Sequence, residues 1–123
     1  MAKKTKETLD TSATPVVLSP TRYGTKASLS EVQRERLTIL IEEASEVQKE
    51  ACKILRFGFD DKNPLLEGAV TNRENLEREI GDFNNAVRMI VASGDIQQAR
   101  IDAASAIKRE MIAYWSSQPK EVL

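Results

Sequence analysis

The fold is decided by residues 37–58, LTILIEEASEVQKEACKILRFG, where apolar and charged residues recur at helical spacing. The apolar members are Leu37, Leu40, Ile41, Ala44, Val47, Ala51, Ile54 and Leu55. A stripe of this period predicts an amphipathic helix whose apolar face lies in the core. Ser28 and Glu31 have capping-box spacing, and Gly58 follows the last turn. The helix is therefore predicted to begin at Ser28 and to end near Phe57.

Two further helices follow a loop. Residues 59–70, FDDKNPLLEGAV, contain Asp, Asn, Pro and Gly and predict that loop. Thr71 and Glu74 form a second capping box, which predicts a helix ending near Ala92 and closed by Gly94. Its inward residues are predicted to be Leu76, Ile80, Phe83, Val87 and Ile90. Asp95 with Gln98 predicts the start of a third helix that stops before Pro119.

Composition agrees with an all-α fold of one domain. The chain has 123 residues and only five glycines, and residues that favour helices dominate. We predict a helical bundle of three main helices per chain, completed by oligomerisation. Residues 1–27 are predicted to be a flexible arm, residues 28–118 the domain, and residues 119–123 a tail.

Several classes of function are excluded by composition. A formal net charge of −1 gives no broad positive field for nucleic acid or a membrane surface. No histidine and one cysteine, Cys52, are present, which excludes a tetrahedral zinc site, a Ser-His-Asp triad and a ferritin-like di-iron centre. No apolar run is long enough to span a membrane, and the cytoplasm is the predicted location.

Two acidic pairs stand out on the predicted helices. Glu43 and Glu46 lie three residues apart on the first helix, and Glu79 and Asp82 lie three residues apart on the second. Such residues share a helix face, so each pair can direct two carboxylates at one point. Oxygen ligands favour hard cations such as Mg²⁺. The alternative is that these acids are solvated or paired with Lys and Arg, as on many charged helices.

A glycine between the second pair favours the metal interpretation. Gly81 occupies a helix interior, where it costs about 1 kcal/mol relative to alanine. Glycine at such a position often permits close approach of another helix or of a ligand.

The segments IEEASEVQKEACKILRFGFDD and TNRENLEREIGDFNNAV together resemble the MazG-like, all-α nucleoside triphosphate pyrophosphohydrolases, especially phage-type members. The similarity spans Leu37 to Lys108. The family pattern E-x-x-E, spacer, E-x-x-D falls on Glu43, Glu46, Glu79 and Asp82. The pieces KILRFG and TNRENLEREIGD match the phage-type pattern in the same order.

The resemblance implies a hydrolase that cleaves a (d)NTP between the α- and β-phosphates and takes part in nucleotide-pool control. Its metal ligands would be Glu43, Glu46, Glu79 and Asp82, holding Mg²⁺, with Mn²⁺ as an alternative. One first-helix glutamate would also act as general base. Glu46 is preferred and Glu43 is the other candidate.

Substrate contacts follow from the same interpretation. Lys53 lies two helical turns after Glu46 on the same face, a suitable place for a phosphate contact. Lys108 matches a third-helix lysine of the family, and Arg56 and Arg73 are further phosphate candidates. Asn85, one turn after Asp82, is the preferred polar contact to the base.

The family resemblance also implies a dimer or tetramer, because its members complete their bundles by association. If the chain is encoded by a phage, its location is the host cytoplasm. The competing hypothesis is a non-catalytic helical protein that binds a partner, or that binds nucleotide without turnover.

Overall fold

The computed structural model describes residues 28–123, so the predicted arm, residues 1–27, lies outside the described residues. Within that part the protein is all-helical. Helix α1 spans Glu31–Phe57, α2 spans Asn72–Ala92, α3 spans Gln98–Trp115, and a short 3₁₀ turn covers Lys120–Val122. No strand occurs in residues 28–123, where Lys62 and Thr71 form an isolated bridge. The predictions of an all-α fold and of three helices are confirmed.

The N-terminus of α1 differs from the prediction. Its cap is Ser30, not Ser28: the Ser30 hydroxyl accepts a hydrogen bond from the Gln33 backbone N–H at 3.2 Å. The Gln33 side chain in turn accepts one from the Ser30 N–H at 3.0 Å. The Gln33 amide also donates to Asp95 Oδ1 at 2.9 Å. The Gln33 amide can make both bonds because it accepts and donates hydrogen bonds. The carboxylate of Glu31, which has the equivalent role in the predicted Ser28–Glu31 box, only accepts and could not donate to Asp95, so the Ser30 box is favoured.

Helices α1 and α2 form an antiparallel hairpin. At one end Asp95 accepts hydrogen bonds from Gln33 and from Arg36, the latter at 2.9 Å. At the other end the Asn72 side chain donates to the Gly58 carbonyl at 2.9 Å. The prediction that Asp95 caps α3 is therefore wrong, because its carboxylate is engaged by α1 and by Ser93. Helix α3 begins after Gln97 without a side-chain cap.

The Asp95 contacts give the hairpin a pH-dependent stability. Hydrogen bonds from Gln33, Arg36 and Ser93 hold the pKa of the Asp95 carboxyl below its ordinary value. A carboxyl with a depressed folded pKa stabilises the fold above its unfolded pKa of about 3.9, and this contribution is lost as the pH falls through the folded pKa. Asp95→Asn is expected to lower the melting temperature at pH 7, and the difference from wild type should begin to shrink below about pH 4 and close as the pH falls through the folded pKa. Thermal melts across this range test the expectation, and an equal difference at both ends would contradict it.

The segment between α1 and α2 is a loop, as predicted, and α2 begins where predicted. The Thr71 hydroxyl accepts from the Glu74 N–H at 3.2 Å, and the Glu74 carboxylate accepts from the Thr71 N–H at 2.8 Å. The Glu74 carboxylate accepts hydrogen bonds from both the backbone N–H and the hydroxyl of Thr71, and these two bonds lower the pKa of Glu74. Gly58 closes α1 with φ of +86°, a conformation that glycine adopts without a steric penalty.

The core inside one chain is smaller than the apolar stripes predict. Among the described residues, the buried apolar residues are Ala86 and Ile90 on α2. Ile41 and Leu55, predicted to be core, remain 70% and 86% exposed. The reason is that α1 packs substantially against α2 alone, whereas α3 has only marginal contact with either helix.

The chain thus leaves apolar helix surface uncovered. On α3 the exposed apolar side chains include Ile107, Met111, Tyr114 and Trp115. No helix within residues 28–123 has both the length and the apolar character needed to cross a membrane.

Candidate metal centre

The antiparallel hairpin brings the two acidic pairs face to face. Carboxylate oxygens of Glu43, Glu79 and Asp82 all lie within 4.8 Å of one another. We call these three residues the first acidic group. Glu43 comes from α1, and Glu79 and Asp82 come from α2, so the group depends on the packing of the two helices.

The fourth predicted ligand belongs to a second acidic group. Oxygens of Glu46, Glu50 and Glu79 also lie within 4.8 Å of one another. Glu79 is shared by both groups and is only 7% exposed. The four predicted carboxylates are therefore divided between two adjacent groups that meet at Glu79.

Glu50 lies three residues before Lys53 on α1, a spacing that favours an ion pair between them over a role as an outer metal ligand. The ion pair is present, with Lys53 Nζ 2.7 Å from Glu50 Oε1. The position in the second acidic group was not anticipated. The available signal was the spacing: Glu50 follows Glu46 by four residues, which places both on one face of α1.

Burial and neighbouring carboxylates change the pKa of one carboxyl in the first acidic group. The pKa of Glu43 is raised, first because the group loses hydration on burial and then by repulsion from Asp82, Glu42, Glu79 and Glu46. A divalent cation between these groups would offset the repulsion and the lost hydration.

The second group carries a basic partner on each carboxylate. Lys49 pairs with Glu46, Lys53 with Glu50, and Arg78 Nη2 lies 2.6 Å from Glu79 Oε1. Hydrogen bonding to Glu46 raises the pKa of Lys49, and hydrogen bonding to Glu79 raises that of Arg78. The basic side chains are about half exposed, so they can exchange partners with a ligand.

The donor chemistry fits a hard divalent cation. All five side chains of the two groups offer carboxylate oxygens, the ligands preferred by Mg²⁺, Mn²⁺ and Ca²⁺. In addition, Glu50 Oε2 is buried and has no hydrogen-bond partner among the described residues. An unsatisfied buried carboxylate oxygen is costly unless it binds something.

A cavity of about 640 Å³ adjoins the second group. It lies between the end of α1, the loop and the start of α2. Its basic lining residues are Lys49, Lys53, Lys62 and Arg78. Its side-chain amides are Asn63, Asn72 and Asn75, and its apolar wall includes Phe57, Pro64, Leu66 and Val70. The cavity thus combines positive charge, amides and one aromatic ring beside an acidic site.

The predicted substrate contacts are only partly assembled at this cavity. Lys53 lines it, whereas Arg73 pairs with Asp60 at 3.1 Å and lies over the Phe59 ring. Arg56 lies over the Phe57 ring, and Lys108 over the Trp115 ring on α3. Asn85 accepts a hydrogen bond from Arg88 at 2.8 Å. These four side chains do not line the cavity, and their roles stay predictions.

Three basic lining residues were not identified from sequence as phosphate contacts: Lys49, Lys62 and Arg78. Lys49 and Arg78 lie next to acidic residues in the sequence, where solvated helix pairing is the ordinary interpretation. Lys62 lies in the loop, whose path is set by tertiary hydrogen bonds such as Asn72 N–H to the Asp61 carbonyl at 2.9 Å.

Gly81 does not mark a close approach within the described chain. A Cβ built at Gly81 would meet no atom within 4 Å. Gly81→Ala is therefore expected to raise the free energy of unfolding by about 0.5–1 kcal/mol, because alanine loses less backbone entropy in a helix. Urea denaturation measures this change. Loss of stability would contradict the expectation and would indicate that a second subunit contacts this position.

No protein-family model, curated protein or solved structure matches the chain. The resemblance to MazG-like enzymes therefore stays a prediction that depends on the motifs themselves.

Proposed function

We propose that this chain is a Mg²⁺-dependent nucleoside triphosphate pyrophosphohydrolase. The reaction consumes one water and converts a (d)NTP to the (d)NMP and pyrophosphate. The observation that carries the proposal is the juxtaposition of two acidic groups, joined at Glu79, with a cavity lined by four basic side chains. Few ligands need both features, and a metal-bound polyphosphate is one of them.

The charge pattern suits a triphosphate in particular. Carboxylates alone repel phosphate, so an acidic site takes a polyphosphate only together with divalent cations. Lysine and arginine side chains then bind the phosphate oxygens that the metal leaves uncovered. Lys49, Lys53, Lys62 and Arg78 are available for this role because all four line the cavity.

The remaining cavity suits a nucleoside. Phe57 offers a ring on which a base can stack, and Asn63, Asn72 and Asn75 offer amides that donate and accept hydrogen bonds. Asn72 already donates to the Gly58 carbonyl, so Asn63 and Asn75 are the better candidates for contacts to the base.

Glu43, Glu46, Glu79 and Asp82 are the proposed metal ligands. Bound Mg²⁺ supplies charge neutralisation for the phosphate oxygens and lowers the pKa of a bound water. Glu46 is the preferred general base, which accepts the proton of the attacking water, and Glu43 is the other candidate. Cleavage between the α- and β-phosphates and a role in nucleotide-pool control are taken from the family resemblance, and the proposed cytoplasmic location is taken from the composition.

A homo-oligomer, dimer or tetramer, is part of the proposal. Its support is the apolar surface left open by the single chain: Ile41 and Leu55 on α1, and the apolar side chains of α3. Association would cover this surface and complete the small core.

The test is a panel of nucleoside triphosphates incubated with Mg²⁺, with products separated as pyrophosphate and orthophosphate. The proposal predicts monophosphate and pyrophosphate in equal amounts, and no turnover when EDTA removes the metal. Orthophosphate as the initial product would overturn the cleavage position. Nucleotide binding without turnover would instead identify the non-catalytic alternative.

A further inference from the structure

The Glu50 side chain is almost fully buried, and its contacts within the described residues satisfy only one of its two carboxylate oxygens. Its side chain is only 3% exposed. Lys53 Nζ lies 2.7 Å from Oε1, and Lys49 Nζ lies 4.0 Å from the same oxygen. The other oxygen, Oε2, is buried without a hydrogen-bond partner among the described residues.

We propose that Glu50 completes a second cation position with Glu46 and Glu79, and that the Lys53 ammonium is the counterion which the bound cation displaces. The inference rests on the metal-binding part of the proposed function and does not require hydrolysis. The four-acid family pattern contains no ligand at the position of Glu50.

The geometry supports one ion on these three residues. Their oxygens lie within 4.8 Å of one another. Oxygens on opposite sides of one divalent ion lie about 4.2 Å apart for Mg²⁺ and about 4.8 Å apart for Ca²⁺. Small side-chain rotations therefore suffice, and the unpartnered Oε2 of Glu50 gains a partner.

Basic side chains balance the charges of the three carboxylates when no metal is bound. Each of the three carboxylates has a basic partner: Lys49, Lys53 or Arg78. A divalent cation that enters must take over these carboxylates, and the lysines are then released toward the cavity that they line. Metal binding would thereby convert Lys53 from an internal counterion into a hydrogen-bond donor to phosphate.

The ordinary alternative is a structural ion pair between Glu50 and Lys53. It makes the opposite prediction for Lys53→Met. If the pair is only structural, loss of Lys53 leaves cation affinity unchanged. If Lys53 competes with the cation, its loss strengthens cation binding in the absence of nucleotide.

The experiment is titration of the full chain with Mn²⁺, with free Mn²⁺ measured by electron paramagnetic resonance and no nucleotide present. Wild type is expected to bind two ions per chain. Glu50→Gln should weaken one of the two sites at least tenfold, and Lys53→Met should tighten that site several-fold. Glu77→Gln is the matched control: it removes the same charge from an exposed residue of α2 and should leave both sites unchanged.

The outcomes separate this inference from the proposed function. Two sites of unchanged affinity in both Glu50→Gln and Lys53→Met would overturn the inference and leave the proposed function intact. A single site in wild type would do the same. No Mn²⁺ binding by wild type would overturn both. Should Glu50→Gln fail to fold, as judged by circular dichroism, the affinity of Lys53→Met decides the question.

Discussion

Glu79→Gln is expected to reduce kcat/KM for nucleoside triphosphate hydrolysis by about a thousandfold or more. Glu79 is the residue common to both acidic groups and is buried between the helices. A neutral amide at this position removes one charged ligand from each of the two proposed cation positions. Metal ions contribute several kcal/mol of charge stabilisation in such reactions, and each 1.36 kcal/mol corresponds to a tenfold change in rate.

Mg²⁺ is expected to raise the melting temperature of the wild-type chain, and the same variant should lose this rise, because a ligand stabilises only a fold that binds it. Glu77→Gln removes an equal charge two residues earlier on α2 and should keep both properties. Melting in EDTA establishes that the Glu79→Gln chain is folded. Retention of Mg²⁺-dependent stabilisation and turnover by Glu79→Gln would contradict the shared-ligand account.

Ile41→Asp is expected to disrupt the proposed self-association of the chain, and this is the second variant for which we expect a large effect. Ile41 lies on α1 with 70% of its surface exposed, on a face that also carries the exposed Leu37 and Leu55. A charge buried in an apolar interface must lose its hydration without a compensating partner. We expect the dissociation constant of the oligomer to rise at least about a hundredfold, since about 3 kcal/mol is lost.

Sedimentation velocity over a range of concentrations measures this change. Leu65→Asp is the matched control, because Leu65 is an exposed apolar residue in the loop rather than on the α1 face. It should leave the assembly unchanged. A monomeric wild-type chain, or an Ile41→Asp chain that associates as wild type does, would contradict the proposed oligomer.

The helices could be predicted because their signals are local. The capping box of Thr71 with Glu74 and the end of α1 at Gly58 are set by a few consecutive residues, and both predictions are confirmed. The cap at Ser30 and the role of Asp95 were missed because both depend on Gln33 and Arg36 meeting Asp95 across the hairpin. The spacing of residues within one helix does not indicate which distant residues they contact in the folded chain.

For the candidate site, too, the helix positions of the residues could be predicted from the sequence, whereas their tertiary contacts could not. Periodicity placed Glu43, Glu46, Glu79 and Asp82 on helix faces, and the structure brings them into two groups joined at Glu79. Periodicity could not show that Glu50 is buried, because burial depends on tertiary packing and not on spacing along one helix. The predicted core failed for a related reason. Apolar spacing identifies a face that tends to be buried, and it does not say whether the covering surface belongs to the same chain.

The most direct test of the central claim is anomalous diffraction at the manganese edge from crystals grown with Mn²⁺ and a non-hydrolysable nucleoside triphosphate. We expect an anomalous peak among the carboxylates of Glu43, Glu79 and Asp82 and a second peak beside Glu46 and Glu79. Crystals in which manganese is absent from both positions, while nucleotide binds elsewhere, would contradict the claim.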